Sequence, residues 1–246
     1  MKQDTVIEFS DVSKSYKVGS SDSLAIRDIF TKGQNPLAEF RTIQALKNVS
    51  FKVRRNEKFG IIGRNGSGKS TIINLIMGAM RPDQGSIRTE GKIMKLESGT
   101  GFDNELNAFQ NVMLSGSLLG LPKKDIIKRY EEIISFAELE EFQDLKIKNL
   151  SKGMKSRLAF ATAMHVNPDI MLLDEFFGGG GDIKFKKKSD ELFKERVLTD
   201  KSLVIVSHSL STIREYCDRA MWLETGIIKD SGDPNWVCDE YEAYHA

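Results

Sequence analysis

From Gly63 to Thr71 the chain reads Gly-Arg-Asn-Gly-Ser-Gly-Lys-Ser-Thr, with four residues between Gly63 and the Gly68-Lys69-Ser70 triplet. Those residue types at that spacing suit the holding of phosphate. Glycines let backbone N–H groups converge on phosphate oxygens, and a following helix adds partial positive charge at its N-terminus. Lys69 would reach the β- and γ-phosphates of a nucleoside triphosphate, and the Ser70 hydroxyl would bind Mg²⁺. Arg64, Asn65, Gly66, Ser67 and Thr71 complete the expected cradle. Two further groups fit the same reaction. The run Ile170 to Glu175 ends in two carboxylates, Asp174 to hold the metal and Glu175 to orient or polarise an attacking water. A second apolar run, Ser202 to Ser209, ends near His208, one of 3 histidines, whose imidazole can hydrogen-bond a γ-phosphate. The stretch "NLSKGMKSRLAFATAM", Asn149 to Met164, poses a different problem: it is a second anion-holding turn before a helix, in a chain that already has one.

The elements that must carry these residues are legible in outline. "TVIEFSDVSKSY" and "ALKNVSFKVRRNEKFGIIG" are short, β-branched pieces that read as strands. The phosphate loop follows the second of these and precedes the helix-like "TIINLIMGAM", the context its pattern requires. Between the strands, about residues 18–42 read as an insertion, in which Ser21 to Ser23 cap a short helix with an apolar face of Leu24, Ile26, Ile29 and Phe30. From Asn107 to Glu141 apolar residues recur at helical spacing, which predicts a helical lobe. "IMLLD" and "SLVIV" are unbroken apolar runs, as expected of central strands in a parallel sheet covered on both faces.

Composition narrows the function classes. The 246 residues are 40% hydrophobic, enough for one sizeable core with a satellite lobe. Lys plus Arg number 36 against 35 Asp plus Glu, so the basic field that dominates nucleic-acid binders is missing and no nucleic-acid partner is expected. Cys217 and Cys238 have no metal-like spacing and read as free thiols of a reducing, cytoplasmic setting. The start offers no apolar core of signal-peptide length, and no run approaches the ~20 apolar residues that span a bilayer, so a membrane role is expected to come through a partner.

Taken in order, these motifs resemble the ATP-binding cassette ATPases from Val6 to about Gly232. Tyr16 is similar to the aromatic that stacks on adenine, "GRNGSGKS" to Walker A, "LSKGM" to the signature LSGGQ, "IMLLDE" to Walker B, and His208 to the switch histidine. Lys152 and Met154 stand where the family carries glycine and glutamine. "GTGFDNELNAFQNV", "SKGMKSRLAFATAM" and the insertion resemble the branch that exports bacterial polysaccharides of the O-antigen, capsule and teichoic-acid type. Where most relatives carry a coupling glutamine, this chain has Ser98 or Gly99, and Gln110 is too far along to replace it.

The resemblance implies an α/β fold: a P-loop NTPase (RecA-like) core with a mixed sheet at about 1–100 and 158–246, an antiparallel β subdomain, and an inserted helical subdomain at about 101–157. It implies a homodimer in which Ser151, Gly153 and Met154 of one copy complete the ATP site of the other, which gives the second turn its phosphate. Asp182 is the matching D-loop residue, one position farther from Glu175 than the family usually has. It also implies ATP and Mg²⁺ as cofactors, a polytopic transmembrane permease as partner, a lipid-linked polysaccharide as cargo, and a peripheral place on the cytoplasmic face of the plasma membrane. The ending "CDEYEAYHA" is expected to be too short for the carbohydrate-binding domain of larger O-antigen members, and Ser23 to Lys32 is expected at the mouth where the glycan enters. The alternatives are a phosphate-loop kinase, which would need an acceptor lid and has no use for the signature turn, an ATPase of a drug or lipid exporter, and a soluble non-transport ATPase. Against the last, ribosome-acting relatives carry two cassettes and DNA-repair relatives a long coiled coil, whereas this chain has one phosphate loop and no heptad run.

Overall fold

The computed structural model describes residues 4–18, 41–96, 102–118, 121–166, 168–174, 183–197 and 200–245. The expected helix at 23–32 and most of the insertion lie outside the described residues. Strands β1 (Thr5–Val18) and β2 (Arg41–Arg54) pair antiparallel, from Thr5 opposite Arg54 to Val18 opposite Arg41. Val18, Arg41 and Thr42, which the sequence puts inside the insertion, are therefore ladder residues. Strand β3 (Lys58–Ile62) leads through the phosphate loop into helix α1 (Lys69–Ile76), and β4 (Gln84–Thr89) returns to pair with β1, giving a three-stranded antiparallel sheet.

A six-stranded mixed sheet forms the centre, in the order β5-β6-β7-β3-β8-β9. It adds β5 (Ile93–Leu96), β6 (Ile170–Asp174), β7 (Ser202–Val206), β8 (Arg219–Glu224) and β9 (Ile227–Gly232). All its pairings are parallel except that of β8 with β9. Strand β7 is buried at every position, and only Asp174 of β6 is not, because layers cover both faces. Burial of side chains such as Leu172, Val204 and Ile205 stabilises the sheet by about 1.5–3 kcal/mol each. The two sheets meet at stacked rings, Phe9 on Phe51 at 4.5 Å and Phe51 on Phe59 at 5.5 Å.

The expected helical lobe contains α2 (Ala108–Leu118) and α3 (Lys123–Ala137), separated at Pro122 because its ring fits a helix start and not an interior. Asn107 and Gln110 cap α2 reciprocally, each side chain accepting from the other's backbone N–H at 3.0 and 2.9 Å, so Gln110 serves the helix end. Helix α4 (Lys152–Val166) belongs to two cores: Leu158 and Ala161 pack with α2 and α3, whereas Phe160, Ala163 and Met164 pack on the sheet. Helices α5 (Ile183–Val197), α6 (Leu210–Tyr216) and α7 (Pro234–His245), with two 3-10 turns at Glu140–Phe142 and Ile147–Asn149, complete the chain's described elements. Among the described residues no helix is long and apolar enough to cross a membrane.

Candidate functional site

Strands β6, β7 and β3 lie side by side and run the same way, with Asp174 opposite Val206 and Val206 opposite Ile61. Whatever follows their C-terminal ends gathers along one edge of the sheet, where open parallel sheets bind ligands. The phosphate loop leaves β3, Asp174 closes β6, and His208 follows β7 after the buried Ser207. The result is a cleft of about 280 Å³ lined by Asn65, Gly66, Gly68, Lys69, Ser70, Thr71, Asp174 and His208, with Ile43, Gln44 and Ala45 of β2 as its wall.

The loop is held from outside as well as by its own sequence. Gly63 has φ 151°, and a Cβ there would stand 2.1 Å from the Leu223 carbonyl oxygen; Gly68 has φ 112°, and its Cβ would stand 2.6 Å from the Ala45 carbonyl oxygen. Only glycine suits both backbone angle and space at these positions. The turn between β8 and β9 clamps the loop to β2: Gly226 N–H donates to Ser67 O at 2.9 Å, and Lys47 N–H donates to Gly226 O at 2.8 Å. The buried Lys69 ammonium lies across the loop, donating to the carbonyls of Gly63 at 2.6 Å and Arg64 at 3.0 Å. Among the described residues the buried Ser67 hydroxyl oxygen has no hydrogen-bond partner, a penalty of about 1–3 kcal/mol for a group so placed. A frame fixed at both ends, carrying a cation and an orphaned hydroxyl, suits an anionic ligand.

The donor set also fits Mg²⁺. Ser70 is exposed in the cleft that Asp174 lines, so a hydroxyl and a carboxylate are available there, and Mg²⁺ takes such hard oxygens together with substrate phosphates. Among the described residues no group of three or more His, Cys, Asp or Glu could hold a metal ion alone. The Asp174 carboxylate meets the Lys95 ammonium at 3.3 Å.

Other expected site residues are placed differently. Tyr16 does not line the cleft; its half-buried hydroxyl shares a hydrogen bond of 3.3 Å with Thr71 Oγ1, which does, and donates to Met80 Sδ at 3.2 Å. The strand end carrying Tyr16 is pinned by Asp83, which accepts from Lys14 Nζ and from Ser15 N–H at 2.7 Å each. The Lys14 bond first, then the Ser15 bond, hold the Asp83 carboxyl below the usual carboxylate range. Met154 packs against the core of the helical lobe, and none of Ser151, Gly153 and Met154 lines the cleft. Ser151 caps α4 by accepting from Met154 N–H at 3.2 Å, and Lys152 opens that helix without positive φ, so the loss of glycine there leaves the turn unstrained. Glu175, Asp182, Ser98 and Gly99 lie outside the described residues.

Sequence reasoning passed over the Ile43–Ala45 wall, the Gly226 clamp and Lys95. The Gly226 clamp bonds through backbone groups, but its left-handed φ of 79° and a Cβ position 2.6 Å from the Ala45 carbonyl oxygen require glycine, a signal the Thr225-Gly226 pair does carry. For Lys95 a signal existed, a cation between Met94 and Leu96 in a strand-like run.

A family model described as ABC transporter matches residues 46–178. The chain is 35% identical over 240 residues to the teichoic acids export ATP-binding protein TagH of Bacillus anthracis, covering 97% of this chain and 42% of that protein. It is 36% identical over 240 residues to the O-antigen export system ATP-binding protein RfbB of Klebsiella pneumoniae, covering 96% and 97%. Two of the TagH relatives, from Bacillus anthracis and Bacillus cereus, are thus longer proteins, of which this chain spans 42% of the length. Among solved structures, the dimeric ATP-binding cassette MJ0796 in a post-hydrolysis state with ADP and Pi superposes with TM-score 0.70 at 26% identity, over 93% of this chain and 98% of that one. The family model covers more than half of the chain and RfbB matches it along nearly its whole length, so the chain belongs to the ABC transporter family.

Proposed function

We propose that this chain is the ATP-binding and ATP-hydrolysing subunit of an exporter that moves a lipid-linked polysaccharide, of O-antigen or teichoic-acid kind, across the cytoplasmic membrane. It acts as a homodimer on the cytoplasmic face, with a separate polytopic transmembrane subunit. The observation that carries the reading is the convergence of the loop, Asp174 and His208 on one cleft at the C-terminal edge of the sheet.

In this reading the loop N–H groups and the α1 N-terminus take up the phosphates, and Lys69 exchanges its bonds to Gly63 and Arg64 for phosphate oxygens. Tyr16, tethered through Thr71, stacks on the adenine. Ser70 and Asp174 would hold Mg²⁺, which would supply neutralisation of the phosphate charge. Glu175 orients the water that attacks the γ-phosphorus, ADP leaves, and His208 hydrogen-bonds the transferring group. Ser151, Gly153 and Met154, with Asp182, close over the nucleotide of the second copy. Binding then closes the dimer, and hydrolysis reopens it.

Exposed apolar side chains on the helical lobe, among them Leu114, Leu118, Ile127, Phe142 and Leu145, support a membrane partner docking there. The test is purification of the tagged protein from detergent-solubilised membranes of its host. A polytopic protein recovered at equal stoichiometry, with ATPase activity stimulated by lipid-linked glycan, supports the reading. Recovery only from the soluble fraction, with ribosomes or DNA, overturns it in favour of a non-transport ATPase.

A further inference from the structure

Side chains of β5 alternate between the two faces of the sheet. Ile93 packs in the cluster of Ile170 and Leu172, while Met94 and Leu96 pack in the other cluster, so Lys95 shares the face of Ile93. It stands in register with Leu172, on a face otherwise contributing Ile61, Val204 and Val206 to the core. A cation in such a row needs a counter-charge, and Asp174, two residues beyond Leu172 on the same face, provides one. Nζ lies 3.3 Å from Asp174 Oδ2, with both side chains 20% exposed. The arrangement gives Asp174 two suitors: a fixed ammonium at its flank and, from the cleft that it lines, the divalent ion.

We propose that Lys95 is a positioning residue that holds Asp174 in the nucleotide-free chain and competes with the divalent cation for its carboxylate. The inference rests on the reading of Asp174 as a metal ligand. A carboxylate already in contact with an ammonium gains less from a second cation than a bare one, and the approaching ion is repelled by the ammonium. The site therefore takes little metal by itself and takes it with the nucleotide, whose phosphates supply the charge that tips the exchange. Lys95 thus couples metal capture to nucleotide capture.

The probe is Mn²⁺, titrated into the full chain and followed by electron paramagnetic resonance, with and without a non-hydrolysable ATP analogue. Lys95→Gln and Lys95→Met are both expected to tighten Mn²⁺ binding to the nucleotide-free protein by about tenfold, and Lys95→Arg to leave it near wild type. In an Asp174→Asn background Lys95→Gln is expected to have a smaller effect, since charge repulsion remains but competition for the carboxylate does not. Thermal melts without metal identify a variant that is merely unfolded, and the remaining neutral variant then decides. Unchanged or weaker Mn²⁺ binding in the folded neutral variants, with Asp174→Asn still weakening the Mn²⁺–nucleotide complex, overturns the role of Lys95 alone. If Asp174→Asn leaves Mn²⁺ binding with nucleotide unchanged, the metal reading of Asp174 falls, and this proposal with it.

Discussion

The phosphate loop before α1 and the Ser151 turn before α4 both place small and hydroxylated residues at a helix start, yet their surroundings differ. Lys69 and Ser67 are 7% and 3% exposed, and the loop is bonded to the β8–β9 turn, which is bonded to β2. Ser151 and Lys152 are exposed, and the turn is tied by its own cap, Met154 N–H to Ser151 Oγ. The first is a cradle whose frame is braced within one chain. The second presents a helix N-terminus outward and does not line the cleft, so in the proposed function it becomes a site only against the nucleotide of another copy. Burial and external bracing, more than residue type, separate the two turns.

That contrast can be broken by substitutions on either side of it. The largest effect is expected for Gly63→Ala, whose methyl would collide with the Leu223 carbonyl at 2.1 Å in a backbone region that L residues avoid. Destabilisation of about 3 kcal/mol in urea unfolding, with loss of ATP binding, is the expected result, and a neutral outcome would show that the bracing is soft. Next, Ser151→Glu is expected to lower ATP turnover by roughly 10²-fold or more through charge repulsion of phosphate, while ATP affinity of the single chain stays at wild type. A fall in single-chain affinity would mean that the turn serves its own nucleotide. Lys69→Ala is expected to weaken ATP binding by about 10- to 100-fold, the worth of a charge-assisted contact to phosphate, as measured by equilibrium titration. The smallest effect is expected for Thr71→Val, which removes the Tyr16 hydrogen bond at 3.3 Å and should lower stability by about 1 kcal/mol and weaken ATP binding modestly, as read by urea unfolding and equilibrium titration.

Legibility followed the range of the interactions. The loop between β3 and α1 was readable because glycine spacing is local and its geometry demands glycine. β6 and β7 were readable because burial on both faces leaves an unbroken apolar run. α4 was harder to divide, since Leu158 and Ala161 serve one core while Phe160 and Met164 serve another, so apolar residues surround the helix and its pattern has no single face. The hairpin that brings Gly226 to Ser67, and the β2 carbonyl of Ala45 behind Gly68, act through backbone groups that every sequence possesses.

By itself the sequence determined the chemistry available: a glycine-spaced phosphate cradle, a strand-end aspartate, a histidine and a capped second turn, each set by residues close together in the chain. Only the tertiary structure decided which of these meet. Parallel pairing of β6, β7 and β3 brought Asp174 and His208 to the loop, and left Ser151 outside the cleft. It also put Lys95 against Asp174. The physical reason is that hydrogen-bonded register across a sheet aligns residues irrespective of their separation in sequence, and no local pattern records which strands will be neighbours.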